Sequence, residues 1–406
     1  MSADGNIFSI VIPAYNEEKS VQDILERCLA AAERLKTAEL GISDVEVLLV
    51  NDGSTDKTEE FALSVQGVRV LTHARNRGYG AAIKTGFAQA KGQLLGFLDA
   101  DGTCDPEFFG KLIGLAVKDR LDVAVGSRMH PDSRMPPVRI VGNWAFRTLV
   151  NMIGSSSVTD IASGMRVVRR AALERIYPLP DGLNFTPAMS VRAILDRRIR
   201  MGEIPMPYRE RVGRSKLSVV RDGLRFLGII LDTSVTYRPR VFFWTAAFVA
   251  VLAALWALTF SWGAPSTPLG HYLRYERLED WMIFRIILVT WCLSVAAFFG
   301  AVGVVAQSLA DVVNGEEPRN YGAWFLAAGA LSWAASLFFS RRLLGSYFST
   351  GTIPNDYWVF PLVGTLFALV GVEFIAFALM ARMARLLRER DRERSLAEYQ
   401  VESGIR

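Results

Sequence analysis

Two aspartates separated by one residue follow a short apolar segment at residues 94–98. The segment has the length of a buried strand, and Gly102 lets the chain turn just after Asp99 and Asp101. Residues two apart in a strand share a face and lie about 6.6 Å apart, so both carboxylates can bind one hard cation, Mg²⁺ or Mn²⁺. A diphosphate is the ligand that most needs such a cation. An acidic surface loop is the alternative, but the position at a strand's end favours a metal site.

Two other apolar segments also end in polar residues. One leads into residues 13–17, Pro-Ala-Tyr-Asn-Glu, and the other ends beside Asp52. Strand and helix patterns alternate here, which predicts an α/β domain with a parallel, Rossmann-like sheet. Because the carboxyl ends of parallel strands meet at one edge, Asp52 and the two later aspartates should converge.

The apolar periodicity also predicts where the elements lie. Strands are expected at residues 8–12, 45–50, 68–71, 94–98, 122–125 and 201–204, and helices at 20–36, 76–90, from 105 onward and at 184–197. Ser20, with Asp23 three residues later, is the expected N-cap of the first helix, and Pro106 the first residue of a later one. Residues 130–138 contain three prolines, which predicts a loop over the site.

The composition changes after about residue 240, where long apolar runs begin. Runs at 241–262, 283–306, 323–339 and 357–381 each approach the roughly 20 residues that span a bilayer. We therefore predict a catalytic domain over 1–216, an amphipathic interface helix with a basic linker over 217–240, a four-helix transmembrane domain over 241–384 and a charged tail over 385–406. Arginines follow the last run, so the positive-inside rule predicts an inner-membrane protein whose catalytic domain and tail are cytoplasmic.

The linker at residues 217–240 is basic, and the helix predicted in it is amphipathic. Between residues 192 and 240, twelve Arg and Lys stand against five Asp and Glu, which predicts attraction to anionic lipid; no nucleic-acid motif accompanies them. The helix has an apolar side and a polar side: Leu217, Val220, Leu224, Leu227 and Leu231 against Ser218, Arg221, Asp222 and Arg225. It could lie in the membrane interface or pack on the sheet, and the nearby membrane favours the interface.

Several motifs occur in a fixed order along the chain. They are Val-Ile-Pro-Ala-Tyr-Asn-Glu-Glu (11–18), Val-Asn-Asp-Gly-Ser-Thr-Asp (50–56), Asn-Arg-Gly-Tyr-Gly (76–80), Asp-Ala-Asp-Gly (99–102), Gly-Ser-Arg (126–128), Asp-Ile-Ala-Ser-Gly-Met-Arg (160–166) and Arg-Val-Gly-Arg-Ser-Lys (211–216). Over roughly residues 7–230 the chain resembles the family 2 glycosyltransferases, and within them the polyprenyl-phosphate branch of the dolichol-phosphate mannose synthase type. The ordered set is specific, although each motif alone is weak.

The resemblance implies a GT-A-type fold and inverting, metal-dependent transfer of a hexose from a nucleotide-sugar, GDP-mannose or UDP-glucose, to polyprenyl phosphate. It also implies residue roles. The nucleotide would contact Pro13, Ala14, Tyr15, Glu17, Asp52, Gly80 and Asp99. The divalent metal would bind Asp99 and Asp101. The acceptor phosphate would contact Arg128, Arg139, Asn143, Arg211 and Lys216. The catalytic residues would be Asp101, Asp160 and Arg128.

Alternatives stay open for some of these residues. Arg128 and Arg139 could be solvated surface arginines, Asp160 could cap a turn, and Lys216 suits anionic headgroups better than catalysis. The three histidines, His73, His130 and His271, are interpreted as ordinary loop or surface residues. Thr103, Asn143 and the helix at 185–189 depart from the family pattern, which leaves the sugar and the full metal coordination open.

Two other functions fit the same resemblance. A processive polysaccharide synthase shares the fold, but the sequence has no Gln-x-x-Arg-Trp motif. A non-catalytic membrane subunit that binds a nucleotide-sugar is the third hypothesis. Glu373 inside the last apolar run could be functional or a protonated residue between helices. The oligomeric state is open, with a homo-oligomer among the options.

Overall fold

The computed structural model describes residues 6–154, 156–209, 219–259, 267, 270–271, 280–314, 317–351 and 359–403. The chain packs as two units, Met1–Ser234 and Val235–Arg406. The first unit holds a β-sheet covered by helices, and the second holds long apolar helices.

A seven-stranded sheet forms the centre of the first unit, in the order β3-β2-β1-β4-β6-β5-β7. Its strands are β1 Asn6–Ala14, β2 Ile42–Asn51, β3 Val68–Thr72, β4 Leu94–Phe97, β5 Val123–Ser127, β6 Arg166–Arg169 and β7 Met201–Pro205. The predicted α/β architecture is confirmed. The expectation of a parallel sheet is wrong at β6, which pairs antiparallel with both β4 and β5. This strand lacks an apolar run because arginines occupy both of its ends.

Helices cover both faces of the sheet. The helices of this unit are α1 Val21–Thr37, α2 Thr58–Ser64, α3 Tyr79–Gln89, α4 Phe108–Lys118, α5 Pro137–Gly154, α6 Leu173–Ile176, α7 Phe185–Leu195 and α8 Val219–Tyr237. Alternate residues of β1 point to opposite faces, so Ile10 packs in the core with α1 and α4, and Val11 packs with α3 and α7. A sheet buried on both sides needs near-continuous apolar strands, which explains the apolar runs of the sequence.

Three local predictions need correction. Ser20 precedes α1 but makes no side-chain cap, and α4 begins at Phe108 after a turn rather than at Pro106. Helix α5 was not predicted, because its first residue, Pro137, closes a proline-rich segment that is typical of a loop. Proline at the start of a helix is well tolerated, so the same residue begins α5.

In helix α8, the buried and exposed residues differ from those that the apolar periodicity predicts. Leu217 and Ser218 lie outside the described residues. Asp222, predicted on the polar side, is 4% exposed, whereas Leu224 on the predicted apolar side is 66% exposed. The apolar side of α8 is therefore not packed on the sheet.

The second unit contains four helices long and apolar enough to cross a membrane, as predicted. They are α9 Pro239–Thr259, α10 Asp280–Val313, α11 Gly322–Thr350 and α12 Val359–Ser403. Small residues let α11 and α12 approach closely: a Cβ at Gly329 would lie 3.1 Å from the carbonyl oxygen of Gly371. Trp333 Nε1 also donates a 3.2 Å hydrogen bond to the Ala368 carbonyl. This unit makes the chain a membrane protein.

Arg170 is predicted to stabilise the turn that leads from α3 into β4. Its guanidinium donates to the carbonyls of Phe87 (3.2 Å), Ala90 (2.7 Å) and Gly92 (2.8 Å). Arg170→Ala should lower the free energy of unfolding by about 2 kcal/mol, because these carbonyls lose charged donors. The measurement is thermal unfolding of the full-length protein in detergent, with exposed Arg175→Ala as control. Equal midpoints for the two variants would contradict the prediction.

Candidate active site

The sheet topology brings several loops to one edge. Strands β1, β2, β4 and β5 run in the same direction, so their carboxyl ends lie together. Because β6 runs the opposite way, its first residue lies at this edge: Arg166 pairs with Phe97 of β4 and Val125 of β5. The antiparallel strand therefore carries the segment 160–165 to the ends of its neighbours.

A cavity of about 510 Å³ opens at this edge of the sheet. Ten of the predicted site residues line it: Pro13, Ala14, Tyr15, Glu17, Asp52, Asp99, Asp101, Arg128, Arg139 and Asn143. Two described residues of the predicted set, Gly80 and Asp160, are not part of its wall. A Cβ at Gly80 would overlap the carbonyl oxygen of Pro180, so this glycine serves close packing of α3. Arg211 and Lys216 lie outside the described residues.

The first loop is held by the one that follows β2. Asn16 has a left-handed backbone (φ 51°), which asparagine tolerates better than most residues. Its side-chain oxygen accepts a 2.8 Å hydrogen bond from the Thr55 amide, and its own amide donates to Ser54 Oγ at 3.0 Å. The Glu17 amide donates to Thr58 Oγ1 at 2.8 Å. These bonds fix the loop after β1 beside the cavity.

Asp52 organises the loop before α3. Its Oδ1 accepts from the Arg77 amide at 2.9 Å, and its Oδ2 accepts from the Gly78 amide at 2.8 Å. His73 Nδ1 lies 2.7 Å from Asp52 Oδ1, and its Nε2 lies 2.9 Å from Thr85 Oγ1. His73 lies in the loop after β3, as predicted, but it is 8% exposed and is therefore not a surface histidine. A single histidine has no spacing pattern, and no sequence signal pointed to this role.

Tyr79 and Gly164 hold the Asp99 carboxylate in place. The Tyr79 hydroxyl donates a 2.7 Å hydrogen bond to Asp99 Oδ1. Burial and the Asp99 charge raise the pKa of Tyr79 well above its usual value, so the hydroxyl stays protonated and donates. A Cβ at residue 164 would overlap the Asp99 carboxylate, so only glycine leaves room for it. Both residues lie within the ordered motifs of the sequence, where no role was predicted for them.

Asp101 is held by its own turn. Thr103 donates to Asp101 Oδ1 from its hydroxyl at 2.6 Å and from its amide at 3.1 Å. No cluster of three or more His, Cys, Asp or Glu side chains suited to a metal occurs among the described residues. A cation such as Mg²⁺ commonly takes one or two carboxylates and completes its shell with phosphate oxygens and water. Asp99 and Asp101 therefore fit a cation shared with a diphosphate.

Arg128 and Asp160 form a buried ion pair. Arg128 Nε donates to Asp160 Oδ2 at 2.7 Å, and Nη2 donates to Oδ1 at 2.8 Å. The Arg128 amide adds a bond to Oδ2 at 3.0 Å. Burial alone would raise the pKa of Asp160, but Arg128 and its hydrogen bonds hold it below the usual range. Asp160 thus lies behind Arg128, which faces the cavity and keeps further N–H donors for a ligand.

Asn143 and Arg166 fix the segment around Asp160. Asn143 Nδ2 donates to the Thr159 carbonyl at 2.8 Å, and its Oδ1 accepts from the Ile161 amide at 3.3 Å. Arg166 is fully buried and donates from Nη2 to the Ile161 carbonyl at 2.9 Å. Burial lowers the pKa of Arg166 to about 10, which leaves it charged at neutral pH. Asn143, predicted as a phosphate ligand, is thus engaged with this backbone.

Comparison with known proteins identifies the family. The family model described as Glycosyl transferase family 2 matches residues 9–177. A dolichyl-phosphate beta-glucosyltransferase of Saccharomyces cerevisiae is 30% identical over 249 residues, which cover 55% of this chain and 72% of that protein. The chain belongs to glycosyl transferase family 2.

Two further proteins are similar to this transferase. The dolichyl-phosphate beta-glucosyltransferase ALG5C of Trichomonas vaginalis is 29% identical over 225 residues, 52% of this chain and 66% of that protein. Among solved structures, glucosyl-3-phosphoglycerate synthase of Mycobacterium tuberculosis, in complex with Mn²⁺, UDP and phosphoglyceric acid, matches with a TM-score of 0.46 and 20% identity. That match covers 57% of this chain and 79% of the synthase. The mixed sheet with helices on both faces is the predicted GT-A-type fold.

One end of the transferase cavity is apolar. Helices α5 and α8 meet there through Phe146 and Phe226, whose rings contact edge to face with centroids 6.1 Å apart. Val138, Gly142 and Gly223 also line this part. This wall was not predicted from the sequence, because no helix was expected at α5 and the membrane interface was favoured for α8.

Tyr79→Phe should weaken metal binding by about 10- to 100-fold, because Asp99 loses the donor that orients it. The measurement is Mn²⁺ binding by electron paramagnetic resonance, with the full-length protein in detergent and UDP present. Tyr177 packs against the same apolar cluster but does not line the cavity, so Tyr177→Phe is the control. Equal Mn²⁺ affinity for the two variants would show that the phenol does not act on Asp99.

Asp160→Asn should destabilise the transferase by about 3–5 kcal/mol, because it leaves the Arg128 guanidinium buried without its carboxylate. Asp132→Asn, at a carboxylate 82% exposed, should change stability by less than about 0.5 kcal/mol. Chemical denaturation of both variants at neutral pH measures the difference.

The same pair predicts how stability depends on pH. The pKa of Asp160 is lowered in the folded state, so its contribution is complete above the unfolded value of about 4 and disappears as the pH falls through the lowered pKa. The gap in stability between wild type and Asp160→Asn should therefore be constant from pH 5 to 8 and shrink in acid. A gap that also shrinks toward pH 8 would contradict this assignment.

Proposed function

We propose that this chain transfers a hexose from a nucleotide-diphosphate sugar to polyprenyl phosphate, with inversion, at a membrane surface. The observation that carries the proposal is that the two carboxylates after β4 and the arginines after β5 line one cavity. The relatives named dolichyl-phosphate beta-glucosyltransferase support a lipid-phosphate acceptor.

The donor side lies at the ends of β1, β2 and β4. Residues 13–17 and Asp52 would hold the nucleoside, and Asp99 and Asp101 would hold a Mg²⁺ or Mn²⁺ ion with the diphosphate. When bound, that ion would neutralise charge on the leaving nucleoside diphosphate. Tyr79 and Thr103 keep the two carboxylates oriented for this ligand.

The acceptor side lies at the end of β5 and along α5. A phosphate monoester has its second pKa near 6, so at neutral pH its oxygen can attack the anomeric carbon without a strong base. The new bond joins this oxygen to the anomeric carbon on the face opposite the leaving group, and the bond to the nucleoside diphosphate breaks. Arg128 and Arg139 would position the attacking phosphate, because a planar guanidinium group can donate two hydrogen bonds to phosphate oxygens. Asp160 acts through Arg128, which it orients.

The lipid and the membrane fit the other end of the cavity. Val138, Phe146 and Phe226 offer an apolar wall for the first part of a polyprenyl chain. The exposed Leu224 and Leu231 of α8 suit the membrane interface. Arg211 and Lys216 would add contacts to phosphate or anionic headgroups. The arginine-rich tail supports a cytoplasmic orientation of the catalytic unit and of the carboxyl end.

Glucose is the first sugar to test, because both yeast and Trichomonas vaginalis relatives are named as glucosyltransferases. GDP-mannose is the second donor to test. The two donors differ in base and sugar, so one assay with each separates them.

Membranes containing the protein should move label from UDP-glucose or GDP-mannose into an organic-soluble lipid when polyprenyl phosphate is added. A chelator of divalent ions should abolish this transfer. Asp101→Asn should reduce it by about two orders of magnitude or more, because a diphosphate-bound cation loses one of its two carboxylates. Asp119→Asn, at an exposed position after α4, is the control and should transfer normally.

Other outcomes identify the alternative functions. Label in a water-soluble polymer would indicate a processive synthase. Donor binding without transfer of label would indicate a non-catalytic subunit. Normal transfer by Asp101→Asn would refute the assigned role of this carboxylate.

A further inference from the structure

The part of the cavity wall that the structure describes contains three cationic side chains: Arg128, Arg139 and Arg225. Arg128 directly follows β5, and Arg139 lies on α5. Arg225 lies on α8, where the sequence placed it on the polar side of an amphipathic helix without a role in the site. Its presence in the same wall joins α8 to the acceptor side.

One nitrogen of the Arg225 guanidinium is paired, and more than half of the side chain is exposed. Its Nη1 donates to Asp222 Oδ1 at 3.3 Å, and the side chain of Asp222 is 6% exposed against 58% for Arg225. The next residue, Phe226, packs on Phe146 of α5 and fixes this turn of the helix. A guanidinium has five N–H donors, so one bond to Asp222 leaves the others for a ligand in the cavity.

The acceptor expected from the proposed function has enough charge and enough oxygens to bind more than two arginines. A phosphate monoester carries about −1.5 to −2 at neutral pH. Arg128 is matched by the buried carboxylate of Asp160, with which it makes two side-chain bonds. Arg139 supplies a second guanidinium, and the other two assigned cations, Arg211 and Lys216, lie outside the described residues. Among the described residues of the wall, Arg225 is the remaining cation.

We propose that Arg225 is a third ligand of the acceptor phosphate, donating to it from α8 together with Arg128 and Arg139. This inference rests on the proposed function, since it assumes that a lipid phosphate is the acceptor. It assigns α8 a direct part in substrate binding, between the phosphate and the apolar wall formed with α5.

The competing explanation is an ordinary surface pair between residues three apart on a helix. Such a pair on a helix would contribute little to stability and would have no part in ligand binding. The two explanations differ in whether a change at residue 225 alters recognition of a phosphate group.

The test compares two ligands that differ only in that group, farnesyl phosphate and farnesol, bound to the full-length protein in detergent. Arg225→Gln should weaken binding of farnesyl phosphate by about tenfold, the effect of losing a charged donor, and leave farnesol unchanged. Arg225→Lys should retain part of the phosphate affinity. Arg221 is exposed on the same helix and does not line the cavity, so Arg221→Gln is the control and should bind both ligands normally.

Each outcome decides between the explanations. Equal phosphate affinity for Arg225→Gln and Arg221→Gln would overturn the role of Arg225, and wild-type transfer of sugar to the lipid would then still support the proposed function. Wild-type protein that binds farnesyl phosphate no better than farnesol would overturn both. Loss of farnesol binding together with farnesyl phosphate would show a structural effect of Arg225 and would also refute the inference.

Discussion

The buried ion pair between Arg128 and Asp160 is the interaction on which the acceptor side of the site depends. Separating the two charges would leave one of them in the interior without compensation, which costs several kcal/mol. Arg166 adds a second buried cation behind the pair and binds the carbonyls of Ile161 and Ser163. The segment before β6 is therefore fixed from both ends, and it places Gly164 against the Asp99 carboxylate of the donor side.

The donor side could be predicted from the sequence because its residues follow apolar strands directly. Asp52 and the D-x-D pair occupy the ends of such strands, and parallel strands bring those ends together. The antiparallel β6 could not be predicted in this way, because it has only two apolar residues, which lie between Arg166 and Arg169. His73 and Tyr79 act through hydrogen bonds to residues far away in the chain, and such contacts leave no periodic pattern.

Helix α8 shows a second limit of sequence patterns. Periodicity divided it into an apolar and a polar side, but burial does not follow that division, because burial is decided by what packs against the helix. Asp222 turned out to be buried, and Leu224 is exposed. The same helix brings Arg225 and Phe226 to the cavity wall. It therefore contributes both to the cavity and to the exposed apolar surface around Leu224.

Strand β6 lies between β4 and β5 and so sets the distance between the two parts of the site. Neighbouring strands lie about 4.8 Å apart, so the ends of β4 and β5 are held about 10 Å from each other. The sheet thus sets the spacing between the two parts of the site. The pair of aspartates follows β4, and Arg128 follows β5. In the proposed reaction, an interval of this length accommodates one sugar ring and its bridging oxygens between the donor diphosphate and the acceptor phosphate.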